Sequence, residues 1–252
     1  MKDPRRVGYL GLDGCRAGWV AALLQPGLRS VHLAAYPAFR RVIDDVPAGA
    51  EIWVDIPIGL TGSGVTRRLD EAMRAVLKVR KSSVFPAPCR AALTAQSYPQ
   101  ARQLEQRQHA RSLSAQAYHL IPKIREVDEF LQNQPTWRSR VFESHPELCF
   151  QRLNADQPLR YSKKHPAGWQ ERADLLECYL TGSREAALTL LASTRRAQVQ
   201  PDDALDALVL AIAAWLNRRE ENNYLRQKEV QDAAGVPLRI ACPPPLHCGE
   251  TA

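Results

Sequence analysis

The chain has 252 residues, 45% of them hydrophobic and 24% charged, with a formal net charge of +7. That is enough apolar material for a full core in one domain, and the ordinary charged fraction excludes a disordered chain. The longest apolar stretch, Ala207 to Leu216, is about half a membrane span, and no apolar signal core follows the basic start Met1 to Arg6, so a cytoplasmic protein without a membrane segment is expected.

Six cysteines are too sparse for a disulfide scaffold. Cys242 and Cys248 lie close in sequence, but no Cys-x-x-Cys pair exists, which argues against a structural zinc site. The basic excess suits an anionic partner such as nucleic acid or a phosphorylated ligand, and abundant arginine alone accounts for it equally well.

The predicted elements begin with three strands. Val7 to Asp13 reads as a strand ending in an acid, Gly18 to Gln25 as a second strand and Ser30 to Ala35 as a third, with Pro26-Gly27 as a turn. Short links make these an antiparallel meander. Ala38 to Val46 is helical, with Phe39, Val42, Ile43 and Val46 on one face. Glu51 to Asp55 is a buried-type strand, and Pro57 prevents its continuation as a central strand.

Arg67 to Arg80 reads as a basic helix, Lys81 to Pro88 as a loop, and Gln96 to Phe130 as mostly helical with Pro122 interrupting it. Arg140 to Glu143 is a short strand, and Pro146 to Leu153 starts another helix. A basic loop from Arg160 to Gly168 leads to helices at Trp169 to Leu180, Ser183 to Arg195 and Pro201 to about Arg218. Gly235 to Ala241 is a last strand before a Pro-rich tail. This order predicts a mixed α/β fold: three antiparallel strands, then parallel strands, flanked by helices. It is expected as one domain over 1–252, with a helical insertion about 61–138 and a loose tail about 243–252. The first strand lies centrally beside the strand ending at Asp55, so the two acids become neighbours.

The chemistry is in the carboxylates. Asp13 precedes Gly14, and an Asp-Gly pair also suits a turn, but the gap to the next strand is longer than a two-residue turn needs. Asp55 follows a strand covered on both faces, where ligands of α/β sheets bind beyond the carboxyl ends. Asp202, Asp203 and Asp206 open the last helix. Capping explains Asp202 and adequately explains Asp203. It explains Asp206 poorly, because that helix is apolar all round and a buried unpaired carboxylate costs several kcal/mol. Glu143-Ser-His-Pro-Glu147 adds two acids and a histidine after a strand. Glu143 is a plausible oxygen donor, while Glu147 also suits a helix start.

Such carboxylates, brought to one sheet end, are what Mg²⁺ or Mn²⁺ needs, and two ions about 3.5–4 Å apart can cleave a phosphodiester. There is no Gly-x-Ser-x-Gly, and the glycine-rich run Gly59 to Gly64 lacks the Lys-Ser or Lys-Thr of a phosphate loop.

Seven segments together resemble domain-of-unknown-function family 429. They are Gly11 to Val20, Asp55 to Leu60, Arg80 to Pro86, Lys123 to Asp128, Glu143 to Glu147, Ser162 to Lys164 and Asp202 to Ala207. They occur in order and span roughly residues 7 to 241. The family is described as predicted nucleases of ribonuclease H-like fold. The resemblance implies that Asp13 matches the first-strand acid of such enzymes, Asp55 the fourth-strand acid, and Asp203 and Asp206 the paired acids of the last helix. One departure is Arg111-Ser-Leu-Ser114, where the family segment usually carries glycine.

Within these segments Arg16, Arg80, Lys123 and Lys163 are candidates to hold a phosphodiester, with Ser82 and Ser83 as hydrogen-bond donors; each also reads as ordinary solvated surface. Exposed aromatics are little interleaved with them, so nothing in the sequence points to a single-strand stacking platform. The leading expectation is a metal-dependent nuclease with catalytic Asp13, Asp55, Asp203, Asp206 and Glu143, its metal on the four aspartates. The alternatives are a phosphotransferase of the actin and sugar-kinase type, suggested by Asp13-Gly14, and a non-catalytic binding module.

Overall fold

The computed structural model describes residues 8–25, 27, 30–62, 67–217 and 223–248. The basic start, the last part of the glycine-rich run and the end of the tail lie outside the described residues.

A seven-stranded sheet forms the centre. Its strands are β1 (Tyr9–Cys15), β2 (Gly18–Gln25), β3 (Ser30–Tyr36), β4 (Glu51–Val54), β5 (Val141–Glu143), β6 (Tyr224–Gln231) and β7 (Pro237–Ala241). The order across the sheet is β3-β2-β1-β4-β5-β7-β6. The first three strands are antiparallel, β1, β4, β5 and β7 run parallel, and β6 returns antiparallel on β7. This is the mixed sheet expected from the sequence, three antiparallel strands and then parallel ones, with helices on its faces.

The helices are α1 (Phe39–Asp45), α2 (Leu69–Leu77), α3 (Tyr98–His109), α4 (Ala115–Asn133), α5 (Pro146–Leu153), α6 (Pro166–Tyr179), α7 (Ser183–Ser193) and α8 (Pro201–Asn217). Strand alternation sorts the core into two layers. Leu10 and Leu12 face a layer built with α1, α3 and α4, whereas Tyr9, Val20 and Ala22 face α5 to α8. Gly11 and Asp13 lie on that second face. A Cβ on Gly11 would fall 2.0 Å from the Ala207 carbonyl oxygen, so α8 rests directly on the strand backbone. The close approach needs glycine and brings the start of α8 over the end of β1.

Several local expectations are corrected. β1 does not end at Asp13: that residue is paired with Val20 inside the strand, and the turn is the tight Arg16-Ala17 pair. The continuing ladder overrides the Asp-Gly turn signal. Gly18, just past the turn, has φ of +133°, and a Cβ there would lie 2.1 Å from the Tyr36 carbonyl oxygen. The basic helix is shorter, because Lys78–Ser83 winds as a 3₁₀ segment. Pro122 lies inside α4 rather than interrupting it, on an exposed position. β6 has no counterpart among the predicted strands. Its sequence, Tyr-Leu-Arg-Gln-Lys-Glu-Val-Gln, is charged and mostly exposed because it is an edge strand.

The tail is not loose over its described part. Leu246 donates to the Arg152 carbonyl oxygen at 2.8 Å and accepts from the Ala155 N–H at 2.9 Å. Cys178 and Cys248 form a disulfide, while Cys15, Cys89, Cys149 and Cys242 are free and buried. Among the described residues no helix is long and apolar enough to cross a membrane.

Candidate active site

A cleft of about 470 Å³ opens at the carboxyl end of the parallel strands. Asp13 and Asp55 lie on its floor, with Glu143 and His145 following from β5. The parallel register places them: Asp55 donates its backbone N–H to the Leu12 carbonyl oxygen at 2.9 Å, and the Ser144 N–H reaches the Val54 carbonyl oxygen at 3.0 Å. Asp206 comes from α8 behind Asp13 and is 1% exposed.

Three carboxylates therefore converge from β1, β4 and α8. Burial first, then the charges of Asp206 and Asp55, push the Asp13 carboxyl well above the usual range. Burial likewise raises Asp55, with His145 and Lys163 acting against it. Asp206 is pushed up to about 6 by burial, although Lys163 pulls the other way. Lys163 is the compensating cation. Its Nζ donates to Asp206 Oδ2 at 2.6 Å and lies 3.4 Å from Asp202 Oδ2. Lys164 donates to Asp202 at 2.8 Å. Asp206 Oδ1 is buried with no hydrogen-bond partner among the described residues. As they stand, no three His, Cys, Asp or Glu side chains among the described residues are gathered closely enough to hold a metal ion.

The remaining expected site residues divide. Arg80, Ser82, Ser83 and Lys163 line the cleft, and Arg16 and Lys123 do not. Arg16 is exposed at the hairpin turn. Lys123 donates to the Gly18 carbonyl oxygen and sits 4.8 Å from the Trp19 ring centroid. One turn on, Glu126 accepts from the Trp19 Nε1–H at 3.2 Å and the Phe39 N–H at 2.7 Å, so this segment latches α4 to the hairpin and to α1. Arg80 donates to the carbonyl oxygens of Leu159 and Tyr161 at 2.8 and 2.9 Å. Ser83 donates to the Arg80 carbonyl oxygen at 2.8 Å.

Asp203 is turned to the helix end. Its Oδ2 accepts from the Gln200 N–H at 2.8 Å, the backward reach of a capping box. Glu143 lines the cleft but is committed to a buried cluster. It pairs with Arg67 and accepts from the Ile58 N–H at 2.8 Å. Arg67 also donates to Asp70 at 2.9 Å and to the Ile58 and Gly59 carbonyl oxygens at 2.8 and 2.9 Å. Sequence reasoning missed this arginine, because the first residue of a basic helix reads as surface. It also missed His145 as a neighbour of Asp55, although the Glu143-Ser-His-Pro-Glu147 segment had singled it out.

The fold and cleft define a mixed α/β protein with an acid-floored, basic-rimmed site at the strand ends. The chain belongs to the family described as protein of unknown function (DUF429), whose model matches residues 11–230. No curated protein and no solved structure matches it.

Proposed function

We propose that the protein is a divalent-metal-dependent phosphodiesterase of ribonuclease H-like fold acting on nucleic acid or a nucleotide. The observation that carries this reading is Asp206: a fully buried carboxylate with one oxygen orphaned, beside two further raised carboxylates at a cleft. A structural acid at that depth is normally fully paired. The donor set fits Mg²⁺ or Mn²⁺, which take oxygen ligands and keep positions for water and phosphate, in a one- or two-ion site. Asp13, Asp55 and Asp206 would hold the metal, which would supply an activated water and charge stabilisation on the leaving oxygen. Lys163 would exchange Asp206 for a substrate phosphate, and Ser82 would donate to phosphate oxygens, while the Ser83 hydroxyl stays on the Arg80 carbonyl oxygen. Asp203 and Glu143 act by positioning, the first through the helix end and the second through Arg67.

Hydrolysis of bis(p-nitrophenyl) phosphate and of labelled oligonucleotides, with Mg²⁺, Mn²⁺ or excess EDTA, tests this. Turnover that needs metal and disappears in both Asp13→Asn and Asp206→Asn is expected. Metal-dependent turnover surviving both changes overturns it.

The Lys163–Asp206 contact favours a second reading, a non-catalytic binding module in which the lysine is the permanent counter-ion. Calorimetric titration with Mn²⁺ separates the two, since a module of that kind takes up no divalent ion at millimolar concentration.

A further inference from the structure

Phe85 and Tyr161 are the most exposed Phe, Tyr or Trp side chains among the described residues, each at 37%. Both belong to the rim of the acid cleft. Phe85 lines it directly, and Tyr161 adjoins the lining residues Ser162 to Lys164. An exposed ring on a loose loop carries little meaning, but these two loops are pinned. On either side of Phe85, the Val84 carbonyl oxygen accepts from Arg74 at 3.3 Å, and the Ala87 N–H donates to Asp70 at 2.9 Å. Val84 itself is buried. Tyr161 donates its N–H to Glu171 at 3.0 Å, and its carbonyl oxygen accepts from Arg80 at 2.9 Å and Arg172 at 3.2 Å. Arg80 thus ties the two loops together. The rings stay outside while the backbone on which they stand is fixed.

Their surroundings point to what covers them. Tyr161 is stacked on His165, with ring centroids 5.8 Å apart and planes 19° apart, and the Arg160 guanidinium lies 5.2 Å from its centroid. Lys163 and Lys164 follow on the same loop, and Lys81 and Ser82 precede Phe85 on the other. Aromatic faces interleaved with cations suit a base with its phosphate attached, because every base has a π-face and every linkage a negative charge. A continuous duplex keeps its bases stacked on one another and offers no face.

We infer that Phe85 and Tyr161 form a stacking subsite for an unpaired nucleobase, and that the substrate class is single-stranded or locally unpaired nucleic acid. The inference rests on the proposed phosphodiesterase only for the phosphate, which the acids and Lys163 would address.

The test is binding of the full chain to a fluorescent single-stranded oligonucleotide, its matched duplex and a free mononucleotide, measured in EDTA by anisotropy. Phe85→Ala, Phe85→Trp and Tyr161→Ala are compared, with thermal melts showing that each folds. The single strand should bind in preference to the duplex. Phe85→Ala should weaken it roughly five- to hundredfold, the range for losing one base stack. Phe85→Trp should retain binding and show indole quenching. Duplex binding equal to or tighter than single-strand binding overturns the inference, as does single-strand binding unchanged in both alanine variants. Mononucleotide binding alone, lost with Phe85→Ala, keeps the stacking subsite but overturns the polymer substrate. Hydrolysis of bis(p-nitrophenyl) phosphate by the wild-type chain is read in parallel. That compound carries no base, so its turnover reports the phosphodiesterase reading independently of the stacking result.

Discussion

Two acidic clusters lie side by side at the carboxyl end of the sheet, and they are built differently. In one, Glu143 and Asp70 close around the buried Arg67, whose guanidinium also reaches two backbone carbonyl oxygens. Their remaining oxygens accept the N–H groups of Ile58 and Ala87. In the other, a single partly exposed lysine pairs with Asp206 and acts on Asp13 and Asp55 only by its charge, and one Asp206 oxygen has no partner among the described residues. The chemistry of the side chains is the same. In the first cluster every carboxylate oxygen is paired, although burial still pushes Glu143 up to about 7 against the pull of Arg67, and the cluster holds the Asp55–Leu60 loop in place; in the second an oxygen is left without a partner beside a cleft. Carboxylate count therefore does not distinguish the two clusters; satisfaction of the hydrogen bonds does.

The two clusters should respond oppositely to substitution. Asp13→Asn and Asp206→Asn should abolish metal-dependent hydrolysis while leaving the melting temperature unchanged or higher, since burial holds both carboxyls above their ordinary range and an asparagine oxygen at 206 still accepts from Lys163. Activity and melting curves on the same preparations check it. Arg67→Met should do the reverse to stability, costing about 3–5 kcal/mol in urea unfolding, because two buried carboxylates lose their cation. A small loss would mean that the Arg67 cluster is not the structural one.

The comparison also explains what could be read beforehand. The meander, the strand before Asp55 and the apolar helix α8 were legible because each obeys one period or one turn signal, and they suffice to bring Asp13, Asp55 and Asp206 together. Glu143 and Asp203 were not separable from them, since a carboxylate looks identical whether its partner is a metal, an arginine 76 positions away or a backbone N–H. Arg67 carries no pattern that marks it as buried. Phe85 and Tyr161 escaped for a related reason: exposure of an aromatic depends on how its loop is pinned, and the pinning groups Arg74, Asp70, Arg80 and Glu171 lie in other segments.

A mid-sized effect is expected from pH. Asp206 titrates near 6 in the folded chain against an ordinary 3.8, so folding favours its protonated form. Stability contributed by this group is present below about pH 4 and is lost as pH rises through about 6, with a size of about 3 kcal/mol. Asp13, raised by the same burial, adds in the same direction. Lys163 is held above its ordinary value, so its contribution persists throughout this window. Urea midpoints between pH 4 and 7 should fall for the wild type and fall less steeply for Asp206→Asn, in which Asp13 and Glu143, also raised by burial, still lose stability as pH rises. Millimolar Mn²⁺ at pH 7 should restore part of the loss, because a ligand for the folded state stabilises it by mass action.

The smallest effect sharpens the comparison most, because it concerns two acids one helical turn apart. Asp203 and Asp206 share a face of α8, yet Asp203 spends its carboxylate on the Gln200 N–H and Asp206 spends none on the backbone. If Asp203 is a cap, Asp203→Ala should cost about 1 kcal/mol of stability, as capping deletions do. Asp203→Asn, whose side-chain oxygen still accepts the Gln200 N–H, should recover most of that loss. Activity should then follow stability across Asp203→Ala and Asp203→Asn, with the asparagine variant close to wild type, whereas in Asp206→Asn activity disappears without any loss of stability. An Asp203→Asn variant that is stable but inactive would move Asp203 from the helix end to the metal, and the boundary between the two kinds of carboxylate would have to be redrawn within α8.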